Sequence, residues 1–195
     1  MVLSSDGVRA LLGLVLVITV IAGCVATPRD PAFAGLLDVG DGRALYMDCQ
    51  GSGSPAVFII PGKGSYAGMW NAVVPDDDHI RSSPYDLAGR ADLLPSPAAT
   101  QPTVAKTTRV CAYDRPNTRF EGTNRSTPVP QPHSIQQDVD DVVKLIGAVH
   151  LRTPLVVVSH SFGGLIADLL ARTHPELVSG LVFVDPTSEF QPETG

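Results

Sequence analysis

The sequence predicts an α/β domain: a doubly wound, mostly parallel sheet with helices on both faces. Three short apolar runs carry the first part of that reading: Ala56-Val57-Phe58-Ile59-Ile60, Leu155-Val156-Val157-Val158 and Leu181-Val182-Phe183-Val184. None alternates with polar residues, so each reads as a strand buried on both sides, as in a parallel sheet. Between them lie apolar residues at helical spacing. Ile135, Val139, Val142, Val143, Ile146 and Val149 form one stripe, and Leu165 to Ala171 holds another. The length of 195 residues suits one domain, and no repeat occurs at solenoid periods.

The elements follow in order. Arg9 precedes an uncharged apolar stretch from Ala10 to Gly23. Spanning a bilayer takes about 20 apolar residues, so residues 1–23 read as a secretory signal peptide. Residues 24–35, rich in Pro, Ala and Gly, read as a tether, and residues 36–195 as the domain. Leu36 to Val39 and Ala44 to Asp48 are two strands joined by the turn Gly40-Asp41-Gly42. Gly51 to Pro55 is a loop, the apolar run to Ile60 is the next strand, and Pro61-Gly62-Lys63-Gly64 ends it.

Pro75 to Thr108 reads as a long loop with a short helix around Leu87 to Leu94. Its Asp76-Asp77-Asp78 triplet reads as a solvated acidic loop, with no further ligand pattern that would make it a metal site. Arg109 to Tyr113 is a strand, with Asp114-Arg115-Pro116-Asn117 as its exit turn. After a Pro/Ser/Thr-rich loop, Ser134 caps the helix that starts at Ile135, and Gln137 is placed to close a capping box. The second helix ends near Thr173-His174-Pro175, and the last apolar strand ends at Asp185-Pro186.

A net charge of −6 argues against a nucleic-acid partner, for which a basic patch is expected. Ser159-His160-Ser161-Phe162-Gly163-Gly164 lies between a strand pattern and a helix pattern. A serine at such a turn presents its hydroxyl at the start of a helix, whose free N–H groups and dipole favour an oxyanion.

Pro61-Gly62-Lys63-Gly64, Cys111-Ala112-Tyr113-Asp114-Arg115-Pro116, the Ser161 turn and Leu181 to Pro186 occur in the order in which the α/β-hydrolase superfamily carries its corresponding motifs. From about Leu36 to Glu189 the chain resembles that superfamily, and looks most like its secreted or lipid-anchored actinobacterial branch. The resemblance implies that Ser161 is a nucleophile and that the backbone N–H groups of Phe162 and Lys63 form an oxyanion hole, with Gly62 letting the chain turn. Ser159 stands where the family has the first glycine of Gly-x-Ser-x-Gly, which implies some strain. Asp114 and Arg115 more often shape a turn in this family than act as a catalytic pair. Asp185 is either the acid of a triad or a strand-end aspartate in a turn with Pro186.

Ile21-Ala22-Gly23-Cys24 resembles the lipobox of bacterial lipoproteins, against the alternatives of an ordinary signal peptide with an incidental cysteine and an uncleaved signal anchor. Acylation of Cys24 would hold the protein on the outer face of the plasma membrane, in the cell envelope. That compartment is oxidising. The hydrolase fold sets Cys49 and Cys111 side by side on adjacent strands, where they either form a disulfide or remain two buried thiols.

In this family the base is a histidine after the eighth strand. The chain reaches Gly195 just past the sixth, so the resemblance implies a sheet lacking its last two strands and that histidine. His160 should point away from the hydroxyl beside it, His174 lies at the far end of a helix, and His150 lies at the opposite face. His79 and His133 fall in loops on the strand-end side. Two functions follow. The first is a serine hydrolase cleaving a small-molecule carboxylic ester, or an amide, through an acyl-enzyme on Ser161, with no cofactor. The second is an inactive envelope lipoprotein that binds a partner or a second copy through its exposed sheet edge.

Overall fold

A computed structural model of the chain describes residues 32–76, 93–120 and 122–189. The signal peptide, Cys24, most of the tether, His79 and most of the segment read as a helix from Leu87 lie outside the described residues. Leu94 pairs instead in a two-residue ribbon, Leu94–Pro95 against Ala72–Val73.

Six strands make the main sheet: β1 (Phe33–Gly40), β2 (Arg43–Gln50), β3 (Val57–Ile60), β4 (Val110–Tyr113), β5 (Leu155–Ser161) and β6 (Val178–Pro186). Their spatial order is β1-β2-β4-β3-β5-β6. β1, β2 and β4 pair antiparallel, and β4, β3, β5 and β6 pair parallel. The alternation of apolar strands and helices thus yields the mostly parallel sheet that it predicts.

The first hairpin is longer than its apolar residues indicate. β1 begins at Phe33, inside the segment read as tether, because backbone pairing carries on to Phe33 opposite Cys49. Pairing needs no apolar side chain, and Leu36 in the same strand is 57% exposed. At the tip Gly40, Asp41 and Gly42 all take positive φ (82°, 57° and 69°), the conformation that a tight hairpin turn demands.

Among the described residues three α-helices accompany the sheet: α1 (Thr100–Val104), α2 (Ile135–Ala148) and α3 (Gly163–Thr173). At the start of α2 the capping box is complete. Gln137 N–H donates to Ser134 Oγ (3.2 Å), and Ser134 N–H donates to Gln137 Oε1 (2.9 Å). α2 and α3 cover one face, where Val139, Val142 and Leu145 of α2 and Ile166, Ala167 and Leu170 of α3 meet Met47, Phe58, Ile60 and Tyr113 of the sheet. On the other face Ile59, Val110 and Ala112 pack under Ala67, Trp70 and Val104. The hairpin is fixed to α2 by a two-pronged ion pair, Arg43 to Asp141 at 2.6 and 3.0 Å.

Cys49 and Cys111 sit directly opposite one another on β2 and β4, with Cα atoms 4.1 Å apart, and form a disulfide. Of the two alternatives for these residues, the fold contains the bridge. Among the described residues no helix is long and apolar enough to cross a membrane.

Candidate active site

Ser161 ends β5 at the carboxyl end of the parallel strands. There the strand order reverses: β3 has β4 on one side and β5 on the other. Connections leave in opposite directions at such a point, and a crevice opens outside the strand ends. Ser161 has φ +49°, a left-handed conformation uncommon for serine, followed by helical φ −53° at Phe162. The turn feeds the chain straight into α3.

A strained turn persists only where its surroundings over-determine it, and three glycines let those surroundings close in. A Cβ at Gly163 would lie 2.5 Å from Ile60 O. At Gly164 it would lie 2.7 Å from Pro186 Cβ, and at Gly62 2.9 Å from Ser161 Cβ and from His160 Nδ1. The loop after β3 therefore presses directly against the serine turn. From the other side, Thr187 N–H donates to Ser161 C=O (2.9 Å). Ser159 is fully buried, and its hydroxyl has no hydrogen-bond partner, a local cost of placing serine at that position.

Lys63 and Phe162, the two residues expected to give oxyanion-hole N–H groups, both line one cavity of about 610 Å³, together with Gly64, Arg115, Asn117 and His133. Asp185 lies at the same end of the sheet, one residue before Pro186, which is in register with Ser161. It is exposed and has φ +45°.

Asp114 and Arg115 face different partners rather than each other. Asp114 is fully buried. It accepts the Ala67 N–H (2.7 Å) and two bonds from Arg125 (2.6 and 2.8 Å). Arg125 in turn stacks on Tyr46 (3.7 Å) and Phe120 (4.2 Å). Arg115 makes a forked pair with buried Asp138 of α2 (3.3 and 3.0 Å), and its guanidinium lies 4.4 Å from the centre of the Phe162 ring. Both side chains shape the turns around the site. Sequence reasoning does not find Arg125 and Asp138, because the partners are 11 and 23 residues distant with no spacing that signals contact. Beneath them, burial and then the Asp138 charge push the Tyr113 phenol far above its ordinary range, and its hydroxyl has no partner.

The described histidines are each placed elsewhere than on Ser161. His160 sets its ring edge-on to Trp70, with centroids 6.4 Å apart. His133 lies 3.6 Å from Asp138, and His174 lies 3.8 Å from Glu176 beyond α3. His150 lines a separate cavity with Phe33 and Arg109.

The six-stranded arrangement is shared widely. A potato epoxide hydrolase structure superposes with TM-score 0.57 and 22% identity, over 84% of this chain and 43% of that one. The 2-hydroxy-6-oxo-6-phenylhexa-2,4-dienoate hydrolase of a Rhodococcus strain gives TM-score 0.55 and 16% identity, over 80% of this chain and 47% of that one. An uncharacterized protein of Schizosaccharomyces pombe is 32% identical over 88 residues, which is 45% of this chain and 16% of its own length. The chain thus spans under half of each of these proteins. A profile of the alpha/beta hydrolase family matches residues 56–194, from β3 through the serine turn and β6, and the chain belongs to that family.

Proposed function

We propose that the chain is a serine hydrolase that cleaves a carboxylic ester, or an amide, through an acyl-enzyme on Ser161. The observation that carries this reading is the left-handed Ser161, held at the strand ends between Gly62 and Gly164. In the reaction Ser161 Oγ attacks the substrate carbonyl carbon and a base takes its proton. The carbonyl oxygen becomes an oxyanion that accepts the Phe162 and Lys63 N–H groups, each worth roughly 3 kcal/mol of barrier. Collapse expels the alcohol or amine, and water then releases the acid. The chemistry needs no cofactor. The base is a histidine brought to Ser161 from outside the described residues, in the same polypeptide or from a partner, with Asp185 as the acid that orients it.

Labelling of the full chain by a fluorophosphonate, beside a Ser161→Ala control, tests the reading. Labelling lost in the control supports an activated serine. A folded sample that takes no label, alone or with cell extract, overturns it.

A second reading rests on β6, where Leu181, Val182, Phe183 and Val184 are 36%, 46%, 45% and 42% exposed. An apolar edge of this kind is a template for strand addition. On this reading the chain is a non-catalytic envelope lipoprotein that pairs β6 with β6 of a second copy. Sedimentation showing a dimer that Val182→Lys dissociates supports it, and a monomer at all concentrations overturns it. Both readings place the protein on the outer face of the plasma membrane through acylated Cys24. The mass of the processed protein checks this: a lipid-modified Cys24 at the N-terminus is the expected result.

A further inference from the structure

The cavity beside the serine turn is opposite in charge to the molecule around it. The chain carries a net charge of −6, yet Lys63, Arg115 and His133 stand in the cavity wall, and among the described residues no Asp or Glu lines it. Lys63 is exposed. Arg115 commits Nε and Nη2 to Asp138, and Nη1 makes no hydrogen bond among the described residues. The His133 side chain is only 8% exposed, and its buried Nε2 has no hydrogen-bond partner, the 3.6 Å to Asp138 being too long for one. Asp138 neutralises the one guanidinium, and among the described residues no carboxylate pairs with the Lys63 ammonium in the wall. Thr118, Gln131 and Asn117 are the neutral polar side chains there, and Asn117 is already spent on the backbone of Val129 (2.9 and 3.0 Å).

The volume of about 610 Å³ falls in the range of small-molecule sites, roughly 300–1,000 Å³. Lys63 and Phe162 would hold a substrate carbonyl at its edge, so a ligand extending inward reaches the Lys63 side chain and the free edge of Arg115. A carboxylate matches both the ammonium and the planar guanidinium.

We propose that this cavity is a carboxylate subsite, and that the substrate is an ester bearing a free carboxylate a few bonds from its scissile carbonyl. Calling the ligand a substrate rests on the reading of Ser161 as a nucleophile. The carboxylate can sit on the acyl side or on the alcohol side of the ester, and two probes separate these: monomethyl succinate and acetylglycolate, with dimethyl succinate as the neutral control. Binding to the full chain is followed through the backbone amide resonances of Lys63, Gly64 and Phe162, so that no turnover is needed.

The expected result is that one anionic probe binds about tenfold more tightly than the neutral diester, the increment of a charge-assisted hydrogen bond. Lys63→Met removes that preference and Lys63→Arg retains it. Because Lys63 is exposed, neither substitution threatens folding. Equal binding of anionic and neutral probes, or a preference unchanged in Lys63→Met, overturns the subsite. Fluorophosphonate labelling is scored separately. Labelling without carboxylate preference overturns the subsite and leaves the hydrolase. Carboxylate binding by a chain that never labels overturns the substrate assignment.

Discussion

Leu155-Val156-Val157-Val158 of β5 and Leu181-Val182-Phe183-Val184 of β6 differ by one side chain and lie on adjacent parallel strands, with Leu181 and Val182 opposite Val157 and Val158. Leu155 and Val157 are fully buried, whereas every residue of the second run is at least 36% exposed. Both strands pack against α3, but β5 has β3 on one side and β6 on the other, while among the described residues β6 has one neighbouring strand. Strand formation is thus a property of the segment, and burial is a property of its place. Around the site both sides hold the serine turn, the β3–β5 side through Gly62 and Gly163 and the β6 side through Gly164 and Thr187, yet the β6 side leaves Asp185 exposed.

The sharpest way to break this comparison is to put the same charge in both strands. Val157→Asp should cost about 4 kcal/mol or more, because a buried carboxylate has no partner there, while Val182→Asp should cost under about 1 kcal/mol. Urea denaturation of the two variants measures the difference. Equal losses would mean that β6 is as covered as β5.

The disulfide tests the buried half from its other flank. Replacing Cys49 and Cys111 together by alanine frees a loop of 62 residues' separation and should lower stability by about 3 kcal/mol. A midpoint in urea that does not move under reducing conditions would exclude the bridge.

Glycine replacement separates the strands again. Gly163→Ala, with Ile60 O in the way at 2.5 Å, should cost about 2 kcal/mol and reduce labelling of Ser161. Gly180→Ala in β6 meets nothing within 4 Å and should be nearly neutral. Thermal unfolding of the pair reads this directly.

Tyr113 gives a pH signature of the buried side. Its folded phenol titrates far above the unfolded value, chiefly through desolvation, so above about pH 10 the unfolded chain releases a proton that the folded chain keeps. Stability is therefore full below pH 10 and falls above it by about 1.4 kcal/mol per pH unit. Tyr113→Phe should remove that slope.

The smallest expected effect uses two serines. Ser159→Ala in β5 removes a buried hydroxyl without a partner and should gain about 1 kcal/mol. In β6, Ser179 Oγ donates to Leu155 C=O at 2.9 Å, so Ser179→Ala should lose about 0.5 kcal/mol. Opposite signs in one denaturation series support the contrast, and matching signs would erase it.

Much of the fold was legible because its signals are local. The apolar runs, the α2 stripe and the Ser134–Gln137 capping box each depend on residues within a few positions of one another. The serine turn was legible for the same reason. The short helix α1, the two-residue ribbon and the first residues of β1 carry no periodicity, since each is formed by pairing or packing with distant chain. Within the site, the Arg115–Asp138 and Asp114–Arg125 pairs and the cation-lined cavity join separate loops, and no spacing announces them.

By itself the sequence determined which segments become strands and helices, where the chain turns sharply at Ser161, and the family to which that order belongs. These follow from backbone sterics and from hydrophobic periodicity, which act over a few residues. Only the tertiary structure decided that Cys49 faces Cys111, that Lys63 and Phe162 share one cavity with Arg115 and His133, and that two nearly identical apolar strands differ so widely in burial. Those outcomes depend on strand order and register, which bring together atoms that the chain itself keeps far apart.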